Sequence, residues 1–442
     1  MKIKLSDHFT YKRLFRFVLP SIAMMIFISV YGVVDGFFVS NYAGKTEFAA
    51  VNLIMPFPMI LGAFGFMIGT GGSALVSIIL GEGKEQKAKE IFSMLIYVTV
   101  ILGVILTVLG VIFTKKIAIF FGAEGEMLKH CVTYGRLLLI ALVPFMLQNV
   151  FQSFLVTAEK PTFGLIITVI SGIINMVLDY LFIGVLDGGV RGAALATGIS
   201  QFVGGFIPLA YFILPNKSQL QLVKAKIDWR ALFKTCFNGS SELMTNLSLS
   251  IVNMLYNFQL LRIAKEDGVA AYGVIMYVNF IFVAVFLGYA IGTAPIVGYH
   301  YGAGNKDEMK NVYTKSILFN VVSGTLMCIV AVLMSGFLAG LFVGYDEGLK
   351  QMTQRGFIIY SISFMVMGLN IYASSFFTAL GNGLVSALIS FLRTLLFQVV
   401  ALLVLPIFFG LDGIWFSIVA AEGVALFVSF GFLMVKRKKY GY

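Results

Sequence analysis

The sequence predicts an all-α integral membrane protein of about twelve transmembrane helices, built as two pseudo-symmetric six-helix bundles. Three observations predict it: scarcity of charge, recurrent apolar runs of helix length, and an internal repeat. Of the 442 residues, 59% are hydrophobic and only 12% are charged, whereas soluble domains carry about 25% charged residues. Half the usual supply of charge cannot coat a water-facing surface, so the apolar excess faces lipid. Apolar runs long enough to cross a bilayer, about 20 residues each, recur along the whole chain. Strand-like alternation is absent, which argues against an outer-membrane barrel.

Read in order, the spans lie near 14–40, 49–80, 91–113, 131–157, 163–186, 192–214, 235–262, 270–300, 314–334, 356–380, 384–409 and 412–435. The polar, charged stretch Met1 to Arg16 precedes the first. That first segment is too long for a signal-peptide core and carries Asp35, so it reads as a retained helix. Pro20 lies early in it, and Gly32 and Gly36 flank the acid. Proline removes a backbone hydrogen bond and kinks a helix. Pro20 is therefore a candidate hinge, with a fixed kink as the alternative. Glu242, near the start of span seven, reads as interfacial, and His300, at the end of span eight, as an ordinary residue.

The net charge is +11, and its distribution points to topology rather than to nucleic acid. Of the 32 lysines and arginines, 21 fall in the two termini and in the loops after even-numbered spans. Ten fall on the other side, and Arg393 lies inside a span. The positive-inside rule then puts both termini in the cytoplasm, as an even number of spans requires. A nucleic-acid patch would form one cluster, so no such partner is expected.

A shift of 221 residues lays one half of the chain on the other. Gly71 meets Gly292, Gly81 meets Gly302, and Gly83 meets Gly304. Asn149, Ser153 and Thr157 meet Asn370, Ser374 and Thr378, and Gly192 meets Gly413. One register holds from about Ala49 to Gly192. Six spans per half give both halves the same orientation, related by an axis along the membrane normal. The expected division is a first half at 1–215, a cytoplasmic linker at 216–234 and a second half at 235–442. Such an architecture suits alternating access about a site between or within the halves.

An ionisable residue inside a span costs at least about 2.5 kcal/mol on insertion scales and is a functional candidate by default. Asp35 sits in span one, and Asp179 in span five on the same helix face as Asn175, four residues earlier. At about 1.5 Å of rise per residue, Asp35 lies roughly 30 Å along its span and Asp179 roughly 24 Å along its own. Thr197 lies roughly 8 Å into span six from the outer side on the same rise. All four side chains fall in the outer part of the membrane and can converge on one polar pocket. Paired carboxylates in low dielectric resist joint ionisation and can bind a proton reversibly. The same oxygens suit a hard cation such as Na⁺. A static polar network tying helices together is the alternative. The second half has Tyr256 and Val400 at the positions matching Asp35 and Asp179. It carries Asn370, Arg393 and Glu422 instead, as candidates for substrate contact, gating or structural pairing between Arg393 and Glu422.

Cys131, Cys236 and Cys328 are too scattered for a disulfide framework or a metal site. Gly44-Lys45-Thr46 lacks the earlier glycine of a phosphate loop, since Val39 stands there. No nucleotide motif or enzymatic constellation is seen, so no cofactor is expected beyond a coupling ion, H⁺ or Na⁺.

Several stretches, in this order and spacing, resemble the multidrug and toxic compound extrusion (MATE) family. They are Val34-Asp35-Gly36-Phe37-Phe38-Val39, Asn175 to Ile183, Gly192 to Thr197, and the loops Gly81 to Lys84 and Gly302 to Lys306. The resemblance covers nearly the whole chain. It implies an ion-coupled antiporter of the cytoplasmic membrane that exports small organic, often cationic and aromatic compounds for H⁺ or Na⁺. It also implies that Asp35, Asn175, Asp179 and Thr197 form a cation site, with the backbone at Ala193 contributing. Some members carry acids in spans seven and ten. Here Asn370 takes the span-ten position, so the first half should carry the coupling. The alternative is a flippase for lipid-linked oligosaccharide or peptidoglycan precursors, which often has several cationic cavity residues; Arg393 alone fits it poorly. An enzyme acting on lipid would need an acid or nucleophile pair at the interface, and none is found. One chain holds both halves, so a monomer suffices.

Overall fold

The computed structural model describes residues 3–42 and 44–442. Met1 and Lys2 of the basic tail and Ala43 fall outside it, and only the backbone of Lys45 is described. The helices are α1 (Tyr11–Tyr42), α2 (Lys45–Ile54), α3 (Pro56–Gly81), α4 (Glu85–Phe120), α5 (Gly125–Ile140), α6 (Leu142–Thr157), α7 (Pro161–Asp179) and α8 (Gly189–Ile213). After a non-helical linker come α9 (Trp229–Gly302), α10 (Lys306–Val343), α11 (Glu347–Ser361), α12 (Phe364–Ala379), α13 (Gly383–Phe391) and α14 (Phe397–Tyr440). A π-helical turn, Tyr180–Val185, extends α7, and another, Leu392–Leu396, joins α13 to α14.

Local chemistry sets many of the starts. Pro56 and Pro161 open α3 and α7, where the missing N–H costs nothing. The Asp228 carboxylate accepts from the N–H groups of Arg230 and Ala231 and caps α9. Asn305, Asp346 and Asn382 cap α10, α11 and α13 in the same way.

Among the described residues, eight helical stretches are long and apolar enough to cross a membrane, and the pairs α5–α6 and α11–α12 add two crossings bent by 55° and 47°. The sequence reads each bent pair as one straight span; the structure breaks both at repeat-equivalent points, after Ile140 and after Ser361. Two of the eight stretches fold back on themselves, which brings the crossings to twelve. At 74 residues α9 would run about 110 Å if straight, far beyond a bilayer. It turns at Lys265 (φ 55°). Tyr272 stacks on Tyr256 at 4.8 Å and donates to Asn253 Oδ1 at 2.9 Å, so the arms on either side of Lys265 are antiparallel. Gly410 (φ 55°) makes the matching turn in α14, where Leu405 and Gly413 touch. The positive-φ positions Lys265, Gly304 and Gly410 each lie 221 residues after another, Gly44, Gly83 and Gly189. The sequence repeat is thus also a repeat of backbone geometry. Lipid-facing rows such as Ile101, Val104, Ile105, Val108 and Ile112 on α4 remain exposed, as expected where hydrocarbon is the solvent.

The halves meet along α3 and α9. A Cβ on Gly71 would strike the backbone of Thr235 and Gly239, and one on Gly239 would strike Met67. The mirrored contacts put Val18 of α1 on Gly292 and Ile22 on Gly288. Gly81 abuts Tyr299 O and Gly302 abuts Ile78 O. Since Ile78 and Tyr299 are repeat mates, this reciprocal contact sits on the pseudo-twofold axis. Small residues let the backbones approach closely. Both chain ends lie on this side, because Leu5, Phe9, Tyr440 and Tyr442 share one buried cluster. The outermost direct hydrogen bond between the halves, among the described residues, is Ser29 Oγ to Phe280 O at 3.2 Å. Farther out, Gly32 and Gly36 of α1 and Gly273 of α9 border open space. The molecule is closed on the face bearing its termini. Within the closed region α1 runs unbroken through Pro20.

Candidate functional site

In the first half, α7 lies between α1 and α8. A Cβ at Gly172 would meet Phe27 and Tyr31, so α1 and α7 pack closely there. Ser171 Oγ donates to Ser200 O at 2.6 Å and ties α7 to α8. The two helices are antiparallel. One turn farther out, Asn175 on α7 is therefore level with Thr197 on α8, and a further turn brings Asp179 level with Ala193. Ser200 Oγ donates to the Thr197 carbonyl at 2.8 Å, and the Thr197 hydroxyl has no hydrogen-bond partner of its own.

The carboxyl groups of Asp35 and Asp179 lie within hydrogen-bonding reach of each other. Asp179 is fully buried and Asn175 nearly so. Oδ1 of Asp35, both carboxylate oxygens of Asp179, Oδ1 of Asn175 and Oγ1 of Thr197 are all buried without a hydrogen-bond partner. Tyr31 and Tyr134 lie in electrostatic range of Asp35, and Tyr134 also of Asp179. An orphaned buried polar group costs about 1–3 kcal/mol. Five oxygens of that kind in one neighbourhood make an acceptor-rich site, fit for a proton or a hard cation.

The second half is organised differently. Asn370 Nδ2 donates to Glu422 Oε2 at 2.7 Å and to its carbonyl at 2.9 Å. Arg393 Nη1 lies 3.5 Å from Glu422 Oε1, so the two pair, with Asn370 as a third member. Under the repeat shift Asn370 and Glu422 correspond to Asn149 and Gln201. The halves thus keep their acids at non-equivalent positions, which is why an alignment of one half on the other finds no partner for Asp35 or Asp179.

Between the halves lies a cavity of about 170 Å³. Its wall includes Thr70 and Ser73 of α3, Gln152 of α6, Glu242 of α9, Ser374 of α12 and Arg393. Here the structure corrects the interfacial reading of Glu242: the side chain faces the cavity, because the first arm of α9 turns that face inward. The signal was present in the spacing. Glu242, Thr245, Asn246 and Leu249 fall at i, i+3, i+4 and i+7, one helix face, and all four line the cavity. His300 is also buried, with its ring edge-on to Phe9. Asp35, Asn175, Asp179 and Thr197 do not line this cavity. The three cysteines are free. Among the described residues no group of three or more His, Cys, Asp or Glu could hold a metal ion.

Comparison with known proteins agrees with this architecture. The MatE family model matches the chain twice, at residues 20–181 and 243–403. The chain is 25% identical over 421 residues to the multidrug export protein MepA of Staphylococcus haemolyticus, covering 95% of this chain and 92% of the relative. It superposes on a MATE crystal structure in complex with MaL6 with a TM-score of 0.92, at 23% identity, covering 97% of this chain and 96% of the other. A multidrug resistance MATE transporter of the MOP superfamily, in an outward-facing conformation, gives the same TM-score, identity and coverage. With two family matches in the two structural repeats of a twelve-crossing bundle, the chain belongs to the MatE family of multi-pass membrane transporters and is not an enzyme.

Proposed function

We propose that this protein is a cation-coupled antiporter that exports small organic, chiefly cationic and aromatic compounds across the cytoplasmic membrane by alternating access. Both termini are then cytoplasmic, and the halves 1–215 and 235–442 rock about their shared seam, joined by the linker 216–234. The observation that carries the reading is the facing pair Asp35 and Asp179, among unpartnered oxygens of Asn175 and Thr197. Two carboxylates side by side in low dielectric repel unless a proton or cation sits between them. Occupation and release of that site therefore change the attraction between α1 and α7, and with it the position of α1 against the other half.

The substrate takes the cavity between the halves. No hydrogen bond or ion pair to the Glu242 carboxylate is found among the described residues, so it can meet an organic cation. Phe66, Leu249, Leu287 and Ile371 supply the apolar wall. Arg393, held by Glu422, is the one lysine or arginine that lines that cavity among the described residues. A lipid diphosphate headgroup would want several cations, which disfavours the flippase alternative. One charge moving through about 150 mV releases roughly 3.5 kcal/mol. At about 1.4 kcal/mol per tenfold, that sustains a few-hundredfold gradient of substrate.

Efflux of a fluorescent organic cation from liposomes tests the reading, with a pH gradient and a Na⁺ gradient imposed separately. One of the two gradients should drive wild-type efflux and thereby name the ion. No movement under either gradient sinks the proposal.

A further inference from the structure

We propose that the segment Leu5–Thr10 is a strap that holds the terminus-bearing face shut and must undock for that face to open; this rests on the alternating-access reading above. The segment is anchored at both ends by buried glutamates from different halves. Leu5 N donates to Oε1 of Glu159, in the loop between α6 and α7, at 2.8 Å. Phe9 N donates to Oε1 of Glu308, in the first turn of α10, at 2.8 Å. Glu308 Oε2 lies 2.6 Å from His8 Nδ1. Asn311 Nδ2 and Lys315 Nζ both donate to Phe9 O, at 3.0 and 2.6 Å. The strap is thus read by its backbone, donor and acceptor alike, and α10 grips it in three places.

Packing reinforces the polar clamp. Leu5 and Phe9 are fully buried, in a cluster that draws Val156 from the first half and Ile296, Met309 and Val312 from the second. The Phe9 ring stands edge-on to His300 at 6.4 Å. Glu159 and Glu308 are each only 7% exposed, so each needs its partners to stay inside. Glu159 also sits at φ 58°, a left-handed conformation that costs a non-glycine residue energy. Its surroundings hold it there, with the carboxylate on the Leu5 N–H.

Chain length makes the clamp sensitive to conformation. Four residue steps separate Leu5 from Phe9, and an extended chain covers at most about 3.3–3.6 Å per residue, hence roughly 14 Å. The strap cannot stretch to follow if the halves part on this side. It must let go of Glu308 or of Glu159.

The test uses the full chain with its three cysteines replaced, reconstituted in liposomes. In His8→Cys/Glu308→Cys, a short bis-methanethiosulfonate reagent, long enough to span the gap left by the two long side chains, should bridge the thiols, verified by mass, and lower efflux at least tenfold, with recovery on reduction. Because the same sample is compared before and after reduction, misfolding cannot mimic that result. Bridged protein that exports as fast as reduced protein would overturn the strap, and so would failure of the bridge to form. A second arm places Ser77→Cys at the seam, where Ser77 is fully buried against Gly298. Adding Glu159→Gln and Glu308→Gln should raise its labelling by a membrane-impermeant thiol reagent several-fold, and unchanged labelling counts against the strap. If wild-type protein moves no substrate under either gradient, the transport reading fails, and the labelling arm still decides the strap.

Discussion

The carboxyl groups of Asp35 on α1 and Asp179 on α7 face each other within hydrogen-bonding reach, although they come from spans one and five. Neither has an arginine or lysine paired with it among the described ion pairs. Two like charges so close in a low dielectric need a proton or a bound cation to relieve their repulsion, and the first expected outcome follows from that.

Asp35→Asn and Asp179→Asn should each lower gradient-driven efflux by about a hundredfold or more while leaving folded protein at wild-type levels, since Asn keeps the shape. The double variant should be scarcely worse than either single one, because groups that act as a unit are not additive. Efflux rates in liposomes under the effective gradient check this. Two singles that each retain wild-type rates would make the pair structural.

Thr197→Val and Asn175→Leu should act more weakly than the aspartate variants. Each removes one neutral oxygen, worth about 0.5–1.5 kcal/mol or roughly two- to twelvefold in cation affinity. The measurement is the gradient concentration that half-saturates efflux. If the coupling ion is Na⁺, its apparent affinity should fall by that factor. If it is H⁺, the half-saturating pH should move while the maximal rate changes little.

Arg393→Gln should destabilise the protein by about 3–5 kcal/mol, the usual cost of stranding one member of a buried ion pair. Glu422 is only 2% exposed and would keep just its Asn370 hydrogen bonds. Arg393→Gln/Glu422→Gln should recover most of the loss, because both charges then go together. Thermal unfolding in detergent reads both. Glu242→Gln, by contrast, should leave stability near wild type and raise the half-saturating concentration of an organic cation several-fold.

Gly302→Val should loosen the closed face. The added side chain would strike Ile78 O on the pseudo-twofold axis, where backbone rather than a flexible side chain is in the way. Labelling of a Ser77→Cys reporter from the terminus-bearing side should rise several-fold. Gly273→Ala, which borders open space, should leave it unchanged.

Much of the plan was legible in the chain, and the reasons are local. Hydropathy reports solvent, so scarce charge and long apolar runs point to lipid wherever the helices end up. The 221-residue register survives as repeated turns at Gly44 and Lys265, at Gly83 and Gly304, and at Gly189 and Gly410. Asp35 and Asp179 stand out because an acid in a span is costly whatever its neighbours. Glu242 reads as interfacial because it lies near the predicted start of its span, but α9 begins at Trp229, about a turn and a half earlier, which sets Glu242 deeper than that distance implies. Pro144, in the first turn of α6, has no N–H for the Ile140 carbonyl four residues back and so marks the first bend, whereas the bend after Ser361 has no proline or glycine at the break to announce it.

By itself the sequence determined the membrane class, the twelve crossings, the tandem repeat and the intramembrane acids, because each is a property of one segment or of one segment against its copy. Only the tertiary structure decided which oxygens meet, that Glu242 faces the cavity, that the seam closes on the face bearing the termini, and that Leu5 and Phe9 are clamped by Glu159 and Glu308. Those are contacts between distant segments. They depend on how helices rotate and cross when small residues such as Gly71, Gly81, Gly239 and Gly302 let their backbones touch, and no periodicity along the chain encodes that rotation.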